Sequence, residues 1–327
     1  MKIAILDDYQ DCVRALDCFR LLDGHDVKIF NNSARGLGQL AIRLAEFEAL
    51  VLIRERTVLS RALLQKLPRL KLISQTGKLS GHVDVDAATE RGIAIAEGIG
   101  DPTAPAELTW ALIMAATRKI PQYAANLRDG LWQSASVAPE LNTLGTVLKR
   151  RTLGIWGYGR IGKMIAGYGK AFGMDVMIWG SDASRTAAEH HGYRTAASRE
   201  TFFSDADILS LHLRLNDATR GIVSAADLAR MKRSALLVNT SRAELIAPGA
   251  LDVALRAGHP GFAALDVFET EPLPADSALL RYANVLATPH IGYVEKDSYE
   301  IYFAAAFQNI VDFANGTPRN ILNPQVL

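Results

Sequence analysis

Residues 153–169 read LGIWGYGRIGKMIAGYG. An apolar run leads into Gly157-Tyr158-Gly159-Arg160-Ile161-Gly162, and a helical pattern follows. A bare GxGxxG is a weak signal, and a strand–helix turn without a ligand is its plain alternative. Here a strand precedes it, a helix opens on it, and another apolar run, DVMIWG (175–180), comes next. That context predicts a dinucleotide-binding turn. Gly157 permits the tight bend, Gly159 lets backbone approach a pyrophosphate, and Gly162 lets the helix pack closely on the sheet. Arg160 and Ile161 open a helix whose N–H groups and positive dipole end face phosphates.

Outward from this turn, short apolar runs alternate with helical patterns. One set is KIAIL (2–6), VKIF (27–30), ALVLI (49–53), LKLIS (70–74) and IAIA (93–96). The other is LGIWG (153–157), DVMIWG (175–180), DILSLHL (207–213), ALLVNTS (235–241), AALDVF (263–268) and NVLATPH (284–290). Most lack clean alternation, as strands buried on both faces do. Two such sets predict two α/β lobes with doubly wound parallel sheets. The 327 residues fit two domains at about 150 residues each. Residues 102–120 predict a helix joining the lobes, with Asp101 as N-cap, Pro102 at the first helical position and Pro121 just past the end. Residues 296–316 predict a long helix stopped by Asn315-Gly316. The simplest topology returns it to the first lobe. The expected domains are 1–100 plus 296–327, a flavodoxin-like substrate domain, and 101–295, a Rossmann dinucleotide-binding domain inserted into it.

Bulk composition narrows the function. Lys+Arg 36 against Asp+Glu 35 gives +1, so net charge makes no case for nucleic acid or an anionic membrane. The longest apolar runs, such as 111–116, fall far short of the ~20 residues that span a bilayer. The start, MKIAILDDYQ, reads as a first strand and not a signal peptide. Cys12 and Cys18 lack CxxC spacing, which points to reduced thiols, a cytoplasmic setting and no metal site. The end of the strand after the glycine turn is where NAD and NADP are told apart. Gly180 stands there, followed by Ser181 and Asp182, and no carboxylate ends the strand. Ser181 can hydrogen-bond a 2′-phosphate and Arg185 can reach it from the loop, whereas Asp182 favours NAD. The balance tips narrowly to NADP.

Near the end, ATPHIGY (287–293) places His290 at the mouth of an apolar run. Taken alone, a histidine there is more often a hydrogen-bonded core residue than a catalyst. Its companions change that. Arg242 follows the run ALLVNTS at a sheet's carboxyl edge, where ligands bind. Glu271 precedes Pro272 in LDVFETEPLP (265–274), and Asp266 opens the same segment.

These segments together resemble the D-isomer-specific 2-hydroxyacid dehydrogenases, the family of phosphoglycerate dehydrogenase, formate dehydrogenase and hydroxypyruvate reductase. The resemblance covers nearly the whole chain. It implies Arg242, Glu271 and His290 as catalytic residues, with His290 the proton donor, Glu271 its carboxylate partner and Arg242 the binder of substrate carboxylate and carbonyl. It implies cofactor contacts from the glycine turn, Ser181, His212, Thr240, Asp266 and Gly292. In ISQTGKLSGHVDV (73–85) it implies that the N–H groups of Lys78 and Leu79 hold the substrate carboxylate. Arg54 and Tyr293 join them as substrate-binding residues. Trp132 is implied to lie in an arm that packs on a second subunit, giving a homodimer. Departures from the family pattern are Ala243 after the arginine, Arg214 after LHL, the Lys78-Leu79 pair, and Tyr293 after HIG. His190-His191 lies in a polar helical stretch and receives no role.

The implied chemistry is hydride transfer between NAD(P)H and a small 2-keto or D-2-hydroxy acid. Histidine titrates near about 6.5, which suits proton delivery in both directions. Phosphoglycerate is the second substrate considered, since Arg54, Arg56 and Lys78 can bind phosphate. Against it, the chain ends at Leu327 without room for an appended regulatory domain. A different class, a cofactor-sensing binding protein like the C-terminal-binding-protein corepressors, shares the fold and can keep the same residues.

Overall fold

A computed structural model describes residues 1–34 and 36–327, with all their side chains but that of Glu140. The chain divides into two compact units, 1–101 with 294–327, and 102–293.

The first unit holds β1 (Lys2–Ile5), β2 (Asp26–Ile29), β3 (Ala49–Leu52), β4 (Leu72–Gln75) and β5 (Ala94–Ala96). They form one sheet in the order β2-β1-β3-β4-β5, and every pairing is parallel. This is the flavodoxin-like order. β3, β4 and β5 are buried along their whole length: β3 (ALVL) and β5 (AIA) are unbroken apolar runs, while β4 (LISQ) ends on the buried polar residues Ser74 and Gln75. Leu50, Leu52 and Ile73 pack with Leu63, Leu64 and Leu67 in one core layer. The helix Lys296–Ala314 belongs to this unit and buries Phe303 and Phe307. Burying each such ring contributes about 1.5–3 kcal/mol. Ser74 Oγ donates to the Ala306 carbonyl at 2.8 Å, tying that helix to β4. Glu295 caps its start by accepting from the N–H groups of Asp297 and Ser298.

The second unit holds β6 (Thr152–Trp156), β7 (Asp175–Trp179), β8 (Arg194–Thr195), β9 (Ile208–Leu211), β10 (Leu236–Asn239), β11 (Phe262–Leu265) and β12 (Val285–Ala287). Their order is β12-β11-β10-β9-β6-β7-β8, all parallel. The strand order reverses between β6 and β9, and that switch point is where such sheets bind dinucleotides. Successive residues feed opposite layers: Leu153, Ile155, Val176, Ile178 and Val238 on one face, Trp156, Met177, Leu209 and Leu237 on the other.

Two local expectations differ from the structure. The helix expected over 102–120 runs from Thr103 to Thr117, with Pro102 and not Asp101 at the N-cap. Lys119 adopts a left-handed backbone (φ 53°) and breaks it, so Pro121 sits in the first turn of a new helix, Ile120–Arg128, where a proline costs nothing. β8 was missing from the expected runs because Arg194–Thr195 is two polar residues at the sheet edge. The bidentate grip of Arg194 on Asp175 secures it to β7. Cys12 and Cys18 are both free thiols, and no helix among the described residues is long and apolar enough to cross a membrane.

Candidate active site

The glycine turn leaves β6 and enters the helix Arg160–Ala171. Gly157 has φ +103°, and a side chain there would strike the His212 carbonyl. Gly162 lies so close to the Gly157 carbonyl that a Cβ would come within 2.1 Å of its oxygen. The space over Gly159 is open, with nothing within 4 Å of where its Cβ would stand. Gly159 is the helix N-cap and supplies no side-chain cap. An uncapped helix N-terminus under an open glycine fits a diphosphate.

At the end of β7, Gly180 has φ +157° and Ser181 caps the helix Asp182–His190, its Oγ accepting from the Ser184 N–H at 3.3 Å. Arg185 is ion-paired with Asp182, and its guanidinium lies 5.0 Å from the centre of the Trp179 ring. Both charged groups expected near an adenosine ribose are therefore engaged with each other. His212 follows β9, and its Nε2 lies 2.8 Å from Ser210 Oγ. Burial pushes its pKa down to about 4, so the ring is neutral at pH 7. Thr240 Oγ1 meets Thr109 Oγ1 at 2.7 Å. His191, given no role from sequence, has its Nδ1 2.8 Å from the Tyr158 hydroxyl and so helps fix the glycine turn's own tyrosine.

Two of the expected catalytic residues, Arg242 and His290, share one sheet edge with Asp266, expected as a cofactor contact. Asn239 of β10, Leu265 of β11 and Ala287 of β12 stand in register. Arg242, Asp266 and His290 follow them by three, one and three residues, so each lies at the carboxyl end of one of three neighbouring strands. Strands about 4.8 Å apart bring such positions within side-chain reach. The turn bearing Arg242 is fixed by Asn239, whose Nδ2 donates to the Arg242 carbonyl at 2.9 Å, while Arg242 Nη1 donates to the Ser241 carbonyl at 2.6 Å.

His290 Nδ1 lies 2.6 Å from Glu271 Oε2. Because a carboxylate only accepts, Nδ1 carries the proton and Nε2 points away from Glu271. Glu271 Oε1 accepts the Phe268 N–H at 2.9 Å, so the carboxylate is anchored at both ends. His290 itself has φ +52°, a conformation rare outside glycine and concentrated at functional sites. Asp266 holds it there. This fully buried carboxylate accepts from Thr288 Oγ1 at 2.7 Å and from the N–H groups of Ile291 and Gly292 at 2.9 Å each. Burial pushes the Asp266 pKa up, and those hydrogen bonds, with the nearby His290, oppose the rise. Asp266 and Gly292, expected as cofactor contacts, are seen bracing the histidine loop. Tyr293 is buried, its ring edge-on to His290 with centroids 5.8 Å apart. Asn239, Thr288 and the Phe268 amide were missed from sequence. Thr288 lies inside ATPHIGY and was legible as a hydroxyl two residues before His290. A backbone amide carries no such signal.

In the first unit, Arg54 follows β3 with φ +54°. Its N–H donates to Thr76 Oγ1 at 3.1 Å, and its carbonyl accepts from Gln75 Nε2 at 3.0 Å. Lys78 Nζ is 2.9 Å from Glu97 Oε2, and the Leu79 N–H donates to Glu97 Oε1 at 2.9 Å. The amide expected to hold a substrate carboxylate already holds one of the chain's own.

A histidine backed by a carboxylate, on the sheet edge that also carries an arginine and a diphosphate cradle, is the equipment of a hydride-transferring oxidoreductase. Comparison with known proteins narrows that class. Residues 110–292 match the D-isomer specific 2-hydroxyacid dehydrogenase, NAD binding domain. The chain is 38% identical over 270 residues to a glyoxylate reductase of Aeropyrum pernix, covering 81% of this chain and 80% of that one. It is 30% identical over 325 residues to a D-3-phosphoglycerate dehydrogenase of Archaeoglobus fulgidus, covering 99% of this chain but 59% of that one. A solved phosphoglycerate oxidoreductase from Vibrio cholerae O395 is 56% identical with a TM-score of 0.93, over 97% of this chain and 99% of that one. The chain belongs to the D-isomer-specific 2-hydroxyacid dehydrogenase family. It is an NAD(P)-dependent oxidoreductase of small 2-keto and 2-hydroxy acids.

Proposed function

We propose that the chain reduces a small, singly charged 2-keto acid of the glyoxylate or hydroxypyruvate kind to its D-2-hydroxy acid, with NADPH preferred over NADH. The observation that carries this is the His290–Glu271 pair at 2.6 Å, on the same sheet edge as Arg242. A bound nicotinamide supplies the hydride. His290, as imidazolium, keeps one proton on Nδ1 against Glu271 and delivers the other from Nε2 to the carbonyl oxygen. Arg242 binds the substrate carboxylate and stabilises the negative charge growing on that oxygen. Tyr293, packed on the imidazole, limits the space beside it.

The cationic groups of the first unit weigh against a phosphorylated substrate. Lys78 is paired with Glu97, and Arg56 donates to the Asp7 carbonyl at 2.7 Å while lying over the Tyr9 ring. The phosphoglycerate reading is kept as second, because the 56% identical Vibrio cholerae protein bears that name. Preference for NADPH rests on Gly180 in place of an acidic residue, and on Asp182 being neutralised by Arg185. The cytoplasm is the proposed compartment, which suits two free thiols. A homodimer is proposed from Trp132, 75% exposed, and Leu144, 88% exposed, in a stretch that also exposes Val137 and Val147.

The test is a steady-state screen of glyoxylate, hydroxypyruvate, pyruvate and 3-phosphohydroxypyruvate with each cofactor. The highest kcat/KM is expected for an unphosphorylated acid with NADPH. A marked preference for the phosphorylated acid would transfer the assignment to phosphoglycerate. Absence of turnover on all four, with a partner protein retained by the dinucleotide-loaded chain, would favour the corepressor-like class. Light scattering at the mass of a single chain would remove the dimer.

A further inference from the structure

The loop after β4 carries Thr76, Gly77, Lys78 and Leu79, and the residue after β5 is Glu97. The two oxygens of Glu97 are divided between two donors, Oε1 on the Leu79 amide and Oε2 on the Lys78 ammonium, each at 2.9 Å. The Glu97 side chain is only 19% exposed. Its backbone is pinned as well: the Glu97 N–H donates to the Asn320 carbonyl at 3.0 Å, and Asn309 Nδ2 donates to the Glu97 carbonyl at 3.1 Å. Arg54 lies over Gly77 on the same loop, in the space a side chain at 77 would need. An amide and an ammonium from one loop, with a guanidinium from the end of β3 beside them, make a receptor for an anion. The chain's own carboxylate binds the amide and the ammonium.

We infer that Glu97 is an internal competitor for the substrate's anionic groups at the Lys78–Leu79 corner, and thereby sets specificity against substrates with a second negative charge. This rests on the 2-keto acid reading above. A carboxylate tethered beside its donors acts at an effective concentration of order mM, so a substrate carboxylate must displace it and KM rises accordingly. Glu97 also neutralises Lys78, so a second carboxylate or a phosphate meets a loop with one positive charge fewer. Glu97→Ala vacates both donors. Glu97→Gln leaves an acceptor for the Leu79 amide but releases the ammonium.

The experiment compares wild type, Glu97→Ala and Glu97→Gln, all loaded with NADPH, on glyoxylate and on the dianionic oxaloacetate. KM for glyoxylate is expected to fall about 3–10-fold in Glu97→Ala, with the change in KM and not in kcat. Both variants should raise kcat/KM for oxaloacetate relative to glyoxylate by about tenfold, the scale of one added charge contact. Adding Lys78→Ala to Glu97→Ala should abolish the oxaloacetate gain, which a general loosening of the loop would not do. Calorimetric binding of oxamate, an unreactive carboxylate, reads the same corner without turnover, and its Kd should fall in Glu97→Ala. Unchanged or weaker oxamate binding, or an unchanged oxaloacetate-to-glyoxylate ratio, overturns the role of Glu97. A wild type that binds oxamate more weakly than Glu97→Ala yet reduces no keto acid sinks the enzymatic reading while keeping the competitor. Should Glu97→Ala not fold, the ratio measured with Glu97→Gln decides alone.

Discussion

At the carboxyl edge of the seven-stranded sheet, the carboxylates Asp266 and Glu271 are held by backbone amides, one hydroxyl and one imidazole. At the same edge of the five-stranded sheet, Glu97 is held by an ammonium as well as an amide. The first arrangement orients an imidazole ring. The second cancels charge. On the proposed reading, neutral amide and hydroxyl partners mark the edge where a proton moves, and the Lys78–Glu97 ion pair marks the edge where substrate charge is screened.

The largest effect belongs to the ring itself. His290→Ala should lower kcat by about 10²–10⁴-fold, the range of a lost general acid. Fluorescence titration should show NADPH affinity within about twofold, because the cradle at Gly157–Gly162 is untouched. Wild-type turnover in this variant would remove His290 from the chemistry and leave the sheet edge without its purpose.

Asp266 tests whether neutral partners position that ring. Asp266→Asn keeps the shape but sets an amide N–H₂ against the N–H of Ile291 or Gly292, depriving a buried donor of its acceptor. A loss of about 1–3 kcal/mol in chemical denaturation is expected. A conformational role for the loop also predicts a fall in kcat with little change in KM for glyoxylate. Stability loss without a change in kcat would show that the left-handed backbone of His290 does not depend on this brace.

His212 supplies a pH test in the same unit. Its folded-state pKa of about 4 lies below that of an ordinary histidine, so the unfolded chain takes the proton first. Stability should fall as pH drops from about 6.5 towards about 4 and level off below, a contribution of about 1–3 kcal/mol. Thermal melts of wild type and His212→Asn across that window should diverge at high pH and converge at low pH. Parallel curves would mean that the ring is not neutral in the folded chain.

How much was legible follows from the same contrast. The second unit announced itself because its candidate site residues stand at fixed offsets after apolar strands: Gly157, Arg242, Asp266 and His290. The alternation of buried runs with helices predicted parallel, doubly wound sheets, but not the order of their strands. The first unit was harder, because its candidate site lies in backbone amides, in the left-handed residue Arg54, and in a pairing between Lys78 and Glu97 that spans two strands. Glu97 sits in an unremarkable IAIAEG, and only folding brings it to residue 78. The cofactor-specifying stretch was half legible. Gly180 and Ser181 were visible, but not that Arg185 would turn onto Trp179 and Asp182.

The smallest effect tests the screening edge. Lys78→Ala removes one arm of an ion pair whose lysine is 65% exposed, and exposed pairs contribute about 0–1 kcal/mol. Denaturation midpoints should therefore barely move, in contrast with Asp266→Asn. Yet Glu97 would keep its hold on the Leu79 amide while losing the Lys78 ammonium. With one positive charge fewer the corner should attract substrate anions less, so KM for glyoxylate should rise a fewfold, opposite in sign to Glu97→Ala. Salt should blunt the rise, because an exposed charge is screened over about 8–10 Å at 0.1–0.15 M ionic strength. A large stability loss would instead make the pair a structural tie, and the two sheet edges would then differ less than their chemistry suggests.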